Sequence, residues 1–342
     1  MIESSAGAVP PAAAFVVELR EGDNTISIGV LDEPSPLQFG SVAGAEFGPG
    51  GTLLVLDGQA SDLRVFALGA GPPEVIAAGV QIVGGAGTGP GEFQRPTALS
   101  VGRAGLLGVF ESTGRVHLFG WNEEGALEHR TTFQLRMDVE DGCVLGDHLV
   151  TTGLHSEHSG AVHLFSTSGE WVRSFGRFYD TDNPWVSETI HRSLVTCLEG
   201  SNEILVAPLF LPEARKYDAL GNLLWWTEFD GLRPVYLAET VDGMVGVGTP
   251  EDGYHGTIGV TGDVGGGVAI LQVGLVTRER RERGSDQEIS TYVLALDTGE
   301  GALLGRDIRR IRDIDAAGAV LSSGLPFPTL RVIPWPSDVS QR

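Results

Sequence analysis

The sequence predicts an all-β chain: a six-bladed β-propeller of four-stranded antiparallel blades, closed into a ring by an N-terminal strand. Three observations predict it. A short alternating strand followed by a glycine-containing turn recurs six times along the 342 residues. A second apolar strand precedes each copy. The 49 glycines and 18 prolines are scattered along the whole chain, as a fold that turns many times requires.

The recurrent strand is clearest as DLRVFALGAG from Asp62, GRVHLFGWNEEG from Gly114 and AVHLFSTSGE from Ala161. Weaker copies are EARKYDALGN from Glu213, TYVLALDTGEG from Thr291 and TLRVIPWPS from Thr329. Each alternates apolar and polar residues and then turns through Gly with Asn, Asp or Ser, as a hairpin demands. The preceding strands are Leu53–Asp57, Leu106–Phe110, His148–Thr152, Glu203–Ala207, Val268–Val273 and Ala319–Ser323. Innermost strands are expected to begin at Ser41, Thr97, Leu135 (LRMDVEDG), Ser193, Thr257 and Arg310. Strand, turn, strand, loop, strand, turn, strand makes one blade with a period of about 40–50 residues.

Two insertions stretch the fifth interval: a hairpin-like connector over 231–255 and a charged loop over 278–290. The sixth blade has three strands at the C-terminus, so its fourth comes from the N-terminus, from Phe15–Leu19 or Ile26–Val30. That closure hides edges that would otherwise invite aggregation. The domain reading is a tether over 1–14, the propeller over 15–336 and a tail over 337–342.

The net charge is −22, from 45 acidic and 23 basic residues, and Lys216 is the one lysine. So acidic a surface repels phosphate backbones, which excludes nucleic acid as a partner. Only RERRER, Arg278 to Arg283, is locally basic, and its glutamates make it a solvated loop. No apolar run approaches the roughly 18 residues of a membrane span. The N-terminus has neither the basic n-region nor the apolar h-region of a signal peptide. The compartment is open, with a periplasmic or secreted setting favoured if an upstream signal has been removed.

From Gly84 the chain reads GGAGTGPGEFQRPTALSVGRAGLLGVFESTGRVHLFG. This resembles the NHL-type propeller repeat: Gly89-Pro90-Gly91-Glu92-Phe93, then Pro96, then two strands reaching Arg115-Val116. Leu53–Asp57 and Arg64-Val65-Phe66 echo it. Glu111 departs from the pattern, where an aspartate like Asp57 is usual. The resemblance implies a propeller and says little of function, since such propellers include scaffolds, ligand binders and a few enzymes. Physically, Gly87, Gly89 and Gly91 are expected to supply positive φ around Pro90, Phe93 to tuck between blades, and Pro96 to start an innermost strand. A dinucleotide fingerprint is excluded, because Pro90 and a following strand replace the required helix.

Loops entering the innermost strands share a face with loops joining second and third strands. That face collects Arg95, His155, Glu157, His158, Asp180, Asp182, Trp185, His191, Tyr254 and His255. Of these, Arg95, His155, His158, Asp180, Trp185, His191, Tyr254 and His255 form the candidate ligand surface. His155 and His158 with Glu157 offer zinc-type donors, with His191 or His255 reaching from neighbouring blades, but the spacing is no recognised zinc pattern and a hydrated loop explains it as well. The loop 177–189 carries Asp180, Asp182 and Asn183, oxygen donors suited to calcium, but reads equally as an Asp/Asn/Pro turn with Trp185 packed on a neighbour. No cofactor is predicted; zinc or calcium is the alternative.

The family's lyase members hold zinc through inward histidines, and its gluconolactonase-type members use acidic and amide residues on innermost strands. Asp138 and Asp315 are placed on such strands here without an Asn partner. Cys143 and Cys197 occupy corresponding places in neighbouring blades, which could bring them near each other; because disulfide geometry is demanding, two buried free thiols are the favoured reading and a bridge the alternative. Of Trp225 and Trp226, one should pack between blades and the other lie on the rim. The functional reading is a non-enzymatic binding or scaffold module presenting loops to a small ligand or protein partner. The alternative is a metal-assisted lyase or hydrolase using the His-rich face.

Overall fold

A computed structural model describes residues 25–30, 35–70, 79–177, 183–198, 200–239, 245–262, 267–277, 288–306, 308–314, 318–324 and 327–334. These form six four-stranded antiparallel sheets and one separate two-stranded hairpin. The innermost strands are Val42–Gly48, Pro96–Val101, Asp141–Leu145, Ser193–Leu198, Tyr254–Thr261 and Arg310–Ile314. Each touches the next, and the sixth touches the first, so the sheets close into a propeller around a central channel. Ile26–Ile28 supplies the outer strand of blade six, with Ile26 opposite Val332 and Ile28 opposite Leu330. The alternative strand Phe15–Leu19, the tether 1–14 and the tail 337–342 lie outside the described residues.

The second strands of the blades are mostly apolar because both of their faces are covered. In Thr52–Asp57 the last five residues are all buried. The apolar side chains sort into six clusters, one per seam. Ile28, Phe39, Phe66 and Leu330 fill the seam between blades six and one. Phe93 and Phe119 join Leu54 and Leu63 between one and two. The remaining four clusters fill the other seams in the same way. At about 25 cal/mol per Å² of apolar surface removed from water, this inter-blade packing is the main stabilising contribution.

Innermost strands leave one row of backbone groups without a strand partner, and the neighbouring blade satisfies part of it. Val101 N–H donates to Glu46 (2.6 Å), Val144 N–H to Ser100 Oγ (3.0 Å) and Val195 N–H to Asp141 (2.9 Å). Ile311 N–H donates to Gln272 Oε1 (2.6 Å) and Phe47 N–H to Asp313 (2.8 Å). A side-chain acceptor therefore bridges five of the six seams, and at the remaining one Thr257 donates to Pro208 O (2.8 Å). These clasps explain why polar residues interrupt otherwise apolar inner strands.

Four expectations are corrected. The innermost strand of blade three is Asp141–Leu145, so LRMDVEDG is mainly a connector and Asp138 lies off the strand. Leu135, Met137 and Val139 alternate inward because this extended segment packs on the seam between blades two and three. Alternation reported a half-buried extended chain, not sheet membership. Secondly, Gly87 and Gly89 do not have positive φ, whereas Gly91 does, at 75°. A Cβ at Gly87 would collide with the Glu92 side chain, and the Glu92 carboxylate accepts the Gly89 N–H. Thirdly, the expected turn before blade four contains an eight-residue helix, Pro184–His191. Asn183 caps it, accepting the Val186 N–H, and Pro184 takes the first position, where no N–H is missed. Finally, Cys143 and Cys197 are joined in a disulfide, Cα–Cα 5.8 Å. They sit on adjacent innermost strands, where blades converge on the axis and come within bridging distance.

Phe93 is fully buried between blades one and two, and Pro96 opens its strand as expected. Gly84 makes room for Phe93: its φ is 91° and a Cβ there would lie 2.5 Å from the ring. The 231–255 insertion contains the hairpin Tyr236–Glu239 with Val245–Gly248. Of the 278–290 insertion, Glu288 to Ser290 begin the third strand of blade five and the rest lies outside the described residues. Trp225 donates to Leu296 O in blade five, while Trp226 is on the rim.

Candidate functional site

The geometry of the top face starts from a repeated carboxylate. Asp57, at the end of the second strand of blade one, accepts the Gly40 and Ser41 N–H groups (2.8 and 3.0 Å) and pairs with Arg64 (3.3 Å). Glu111 does the same in blade two, accepting the Gln94 and Arg95 N–H groups (3.1 and 3.2 Å) and meeting His117 Nε2 at 2.7 Å. The longer Glu side chain is therefore a working substitute for Asp at this place. Each carboxylate fixes the loop that enters its own blade, and so the rim of the channel.

A base on the third strand also repeats, buried in all but the last of five blades. Arg64, His117, His163, Arg215 and Arg331 stand opposite Val55, Val109, Thr151, Val206 and Leu321 respectively, in matching register. His163 bonds Ser174 Oγ (2.7 Å) and Gly153 O (3.2 Å). Burial pulls its pKa down to about 4, and nearby histidine charges add to that. Burial also lowers His117, against the pull of Glu111. Sequence reading passed over this column, although the six aligned third-strand copies expose it.

A cavity of about 950 Å³ occupies the central channel and is lined by the innermost strands of all six blades. Its charged lining divides evenly between the arginines Arg95, Arg103, Arg310 and Arg312 and the acids Glu46, Glu140, Asp141 and Asp313. Arg312 is tied into the six-to-one seam, donating to Ser322 Oγ (2.8 Å), Ala43 O (3.0 Å) and Val42 O (2.6 Å). Arg310 differs: its Nε is buried with no hydrogen-bond partner. Burial lowers the pKa of both arginines; Asp141 opposes this at Arg310, whereas the Arg310 charge adds to it at Arg312. Burial raises Asp141 to about 7, opposed by the Val195 and Gly142 N–H groups. Glu140 is held by Arg192 at the rim (2.6 and 3.0 Å).

The predicted site residues do not gather at one point. Arg95 is exposed and lines the channel. His155 and His158 line a separate groove of about 720 Å³ between blades two and three, together with Glu157 and Ser187. There His155 lies 4.6 Å from His158, ring to ring, and His158 stacks on Trp171 at 3.8 Å. Burial, then the His158 charge, lowers the His155 pKa. His191 is buried at the helix end and bonds Ser187 O (2.5 Å). His255 Nδ1 accepts the Arg233 N–H (2.9 Å), and Tyr254 packs on Phe210. Trp185 lies on the helix, and Asp180 and Asp182 fall outside the described residues, as does Asp315.

His191 and His255 are thus engaged in their own blades, not reaching toward His155. Among the described residues no group of three His, Cys, Asp or Glu side chains is placed to hold a metal ion. No helix among them is long and apolar enough to cross a membrane.

No protein-family model matches the chain, and no curated protein matches it in sequence. Solved structures do. A member of the DUF4221 family from Bacteroides vulgatus superposes with a TM-score of 0.58 at 11% identity, covering 92% of this chain and 96% of that one. A candidate exported protein of Bacteroides fragilis superposes with a TM-score of 0.55 at 11% identity, covering 90% and 94%. Likeness at this identity speaks for fold alone. The chain is a six-bladed β-propeller of four-stranded antiparallel blades, closed by its N-terminal strand.

Proposed function

We propose that the protein is a ligand-binding module that receives a small polar molecule in its central channel. The observation that carries this reading is the cavity itself: about 950 Å³, with Glu46, Asp141, Arg310, Arg312 and Asp313 of its charged lining standing on innermost strands. Binding groups held on strands keep their geometry without a ligand, which lowers the ordering cost of binding. The His155–His158 groove is shallower in chemistry, because its histidines stack on each other and on Trp171. The Cys143–Cys197 disulfide supports a working place in an oxidising compartment, where such bonds persist.

Filling the channel tests the reading. Thr196 lines it at mid-height, and Thr196→Trp should abolish retention of any small molecule that native mass spectrometry finds on protein from its source. A small molecule retained equally by Thr196→Trp would refute the channel as the binding place. Thiol alkylation of that same source protein, before any reduction, should leave both cysteines unlabelled.

A further inference from the structure

Arg310 and Asp141 open the innermost strands of blades six and three, which stand opposite each other in a ring of six. They feel each other's charge across the channel, yet no ion pair joins them. Two other charged residues of the channel are engaged otherwise. Arg312 is taken up by Val42, Ala43 and Ser322, and Glu140 by Arg192. Asp141 has one oxygen on the Val195 N–H and the other on its neighbour Gly142 N–H, which leaves lone pairs directed elsewhere. Arg310 keeps a buried Nε with no partner. A buried guanidinium without a partner is costly, and an anion bound at its channel side would offset that charge.

We propose that Arg310 and Asp141 are the two poles of the channel's ligand site, and that the ligand is a small monocarboxylate that also carries a hydroxyl or amine. This rests on the channel reading above. A carboxylate matches the planar fork of a guanidinium, which can grip it through two parallel N–H bonds. The hydroxyl or amine donates to Asp141 on the far wall. A phosphate dianion fits worse: the four acids of the lining balance its four arginines, so a second negative charge meets no surplus of positive charge, and the whole chain carries −22. A ligand without any charge would leave the guanidinium unpaired. The size of the channel admits a molecule of several heavy atoms with water around it.

Isothermal titration with glycolate, acetate and inorganic phosphate, on the full chain, tests the assignment. Glycolate should bind more tightly than acetate, and phosphate more weakly than either. Arg310→Gln should weaken glycolate at least tenfold while the melting temperature stays level or rises, because a buried unpaired charge has gone. A purely structural arginine would instead lower the melting temperature. Asp141→Asn should shrink the advantage of glycolate over acetate, since an amide is a poorer acceptor.

Unchanged glycolate affinity in Arg310→Gln overturns the proposal, as does phosphate binding more tightly than glycolate or no glycolate binding at all. If one of these results appears while Thr196→Trp still strips a native small molecule, the channel reading stands and only the two poles fall. If Thr196→Trp also changes nothing, the channel reading falls with them.

Discussion

The seam between blades six and one and the seam between blades three and four hold their inner strands together by different means. At six-to-one the chain is discontinuous, and the closure is distributed. It uses the Ile26–Ile28 strand, the Arg312 bonds to Val42 and Ala43, the Asp313 bond to Phe47, and an apolar cluster around Ile28 and Phe39. At three-to-four the chain runs on through a helix, and a covalent bond, Cys143–Cys197, sits at the channel wall beside the Asp141 clasp. The difference separates two tasks. Contacts at six-to-one close the ring, whereas the disulfide fixes the spacing of strands that carry Asp141 into the channel.

Breaking the closure should cost most. Deleting residues 1–31 removes fully buried Ile28 and a three-residue ladder, an expected loss of at least about 4 kcal/mol. Urea denaturation of full-length and truncated protein measures it, and an unchanged midpoint would reject the closure. Next in size is the double change Cys143→Ser with Cys197→Ser, with an expected loss of about 2–4 kcal/mol for a bond spanning 54 residues. Here the propeller should persist, read as an unchanged far-ultraviolet dichroism spectrum at 20 °C.

Smaller still is Asp313→Ala, which leaves the Phe47 N–H without its acceptor and should cost about 1–3 kcal/mol. Asp313→Asn keeps an acceptor oxygen and should recover most of it. The same pair of changes at Asp141 sharpens the comparison, because charge there is already disfavoured.

The last effect is a change of slope with pH. Asp141 is raised to about 7 in the folded chain, so between pH 4 and 7 the native state holds a proton that the unfolded chain has released. Stability from this group therefore falls as pH rises through that window. His163, lowered to about 4, acts oppositely: its contribution is complete above the unfolded value near 6.5 and is lost as pH falls toward 4. In the native protein the two offset each other. Asp141→Asn should leave the His163 slope uncovered, so that melting temperature rises more steeply between pH 4.5 and 7 than in the unaltered chain.

Much of the architecture was legible because each blade must repeat the same burial pattern. All six second strands and all six third strands fall where alternation and glycine turns place them. The connector 135–140 misled for a physical reason: an extended chain on a seam alternates its side chains just as a sheet strand does. The helix Pro184–His191 was missed because eight residues carry too little periodicity, although Asn183-Pro184 is a start signal. The site was less legible. Arg310 and Arg312 are two residues apart on one strand, and nothing local says that one is bonded three times while the other has an unpaired nitrogen.

By itself the sequence determined the repeat, the number of blades, the role of the N-terminus in closing them and the acidic surface. These follow from local pattern and composition, which each segment carries on its own. Only the tertiary structure decided which residues come near one another around the axis: Cys143 with Cys197, Asp141 facing Arg310, and Arg312 drawn into the closing seam. Those encounters depend on how blades are spaced around the ring, and residues 54 to 270 positions apart carry no local signal of each other.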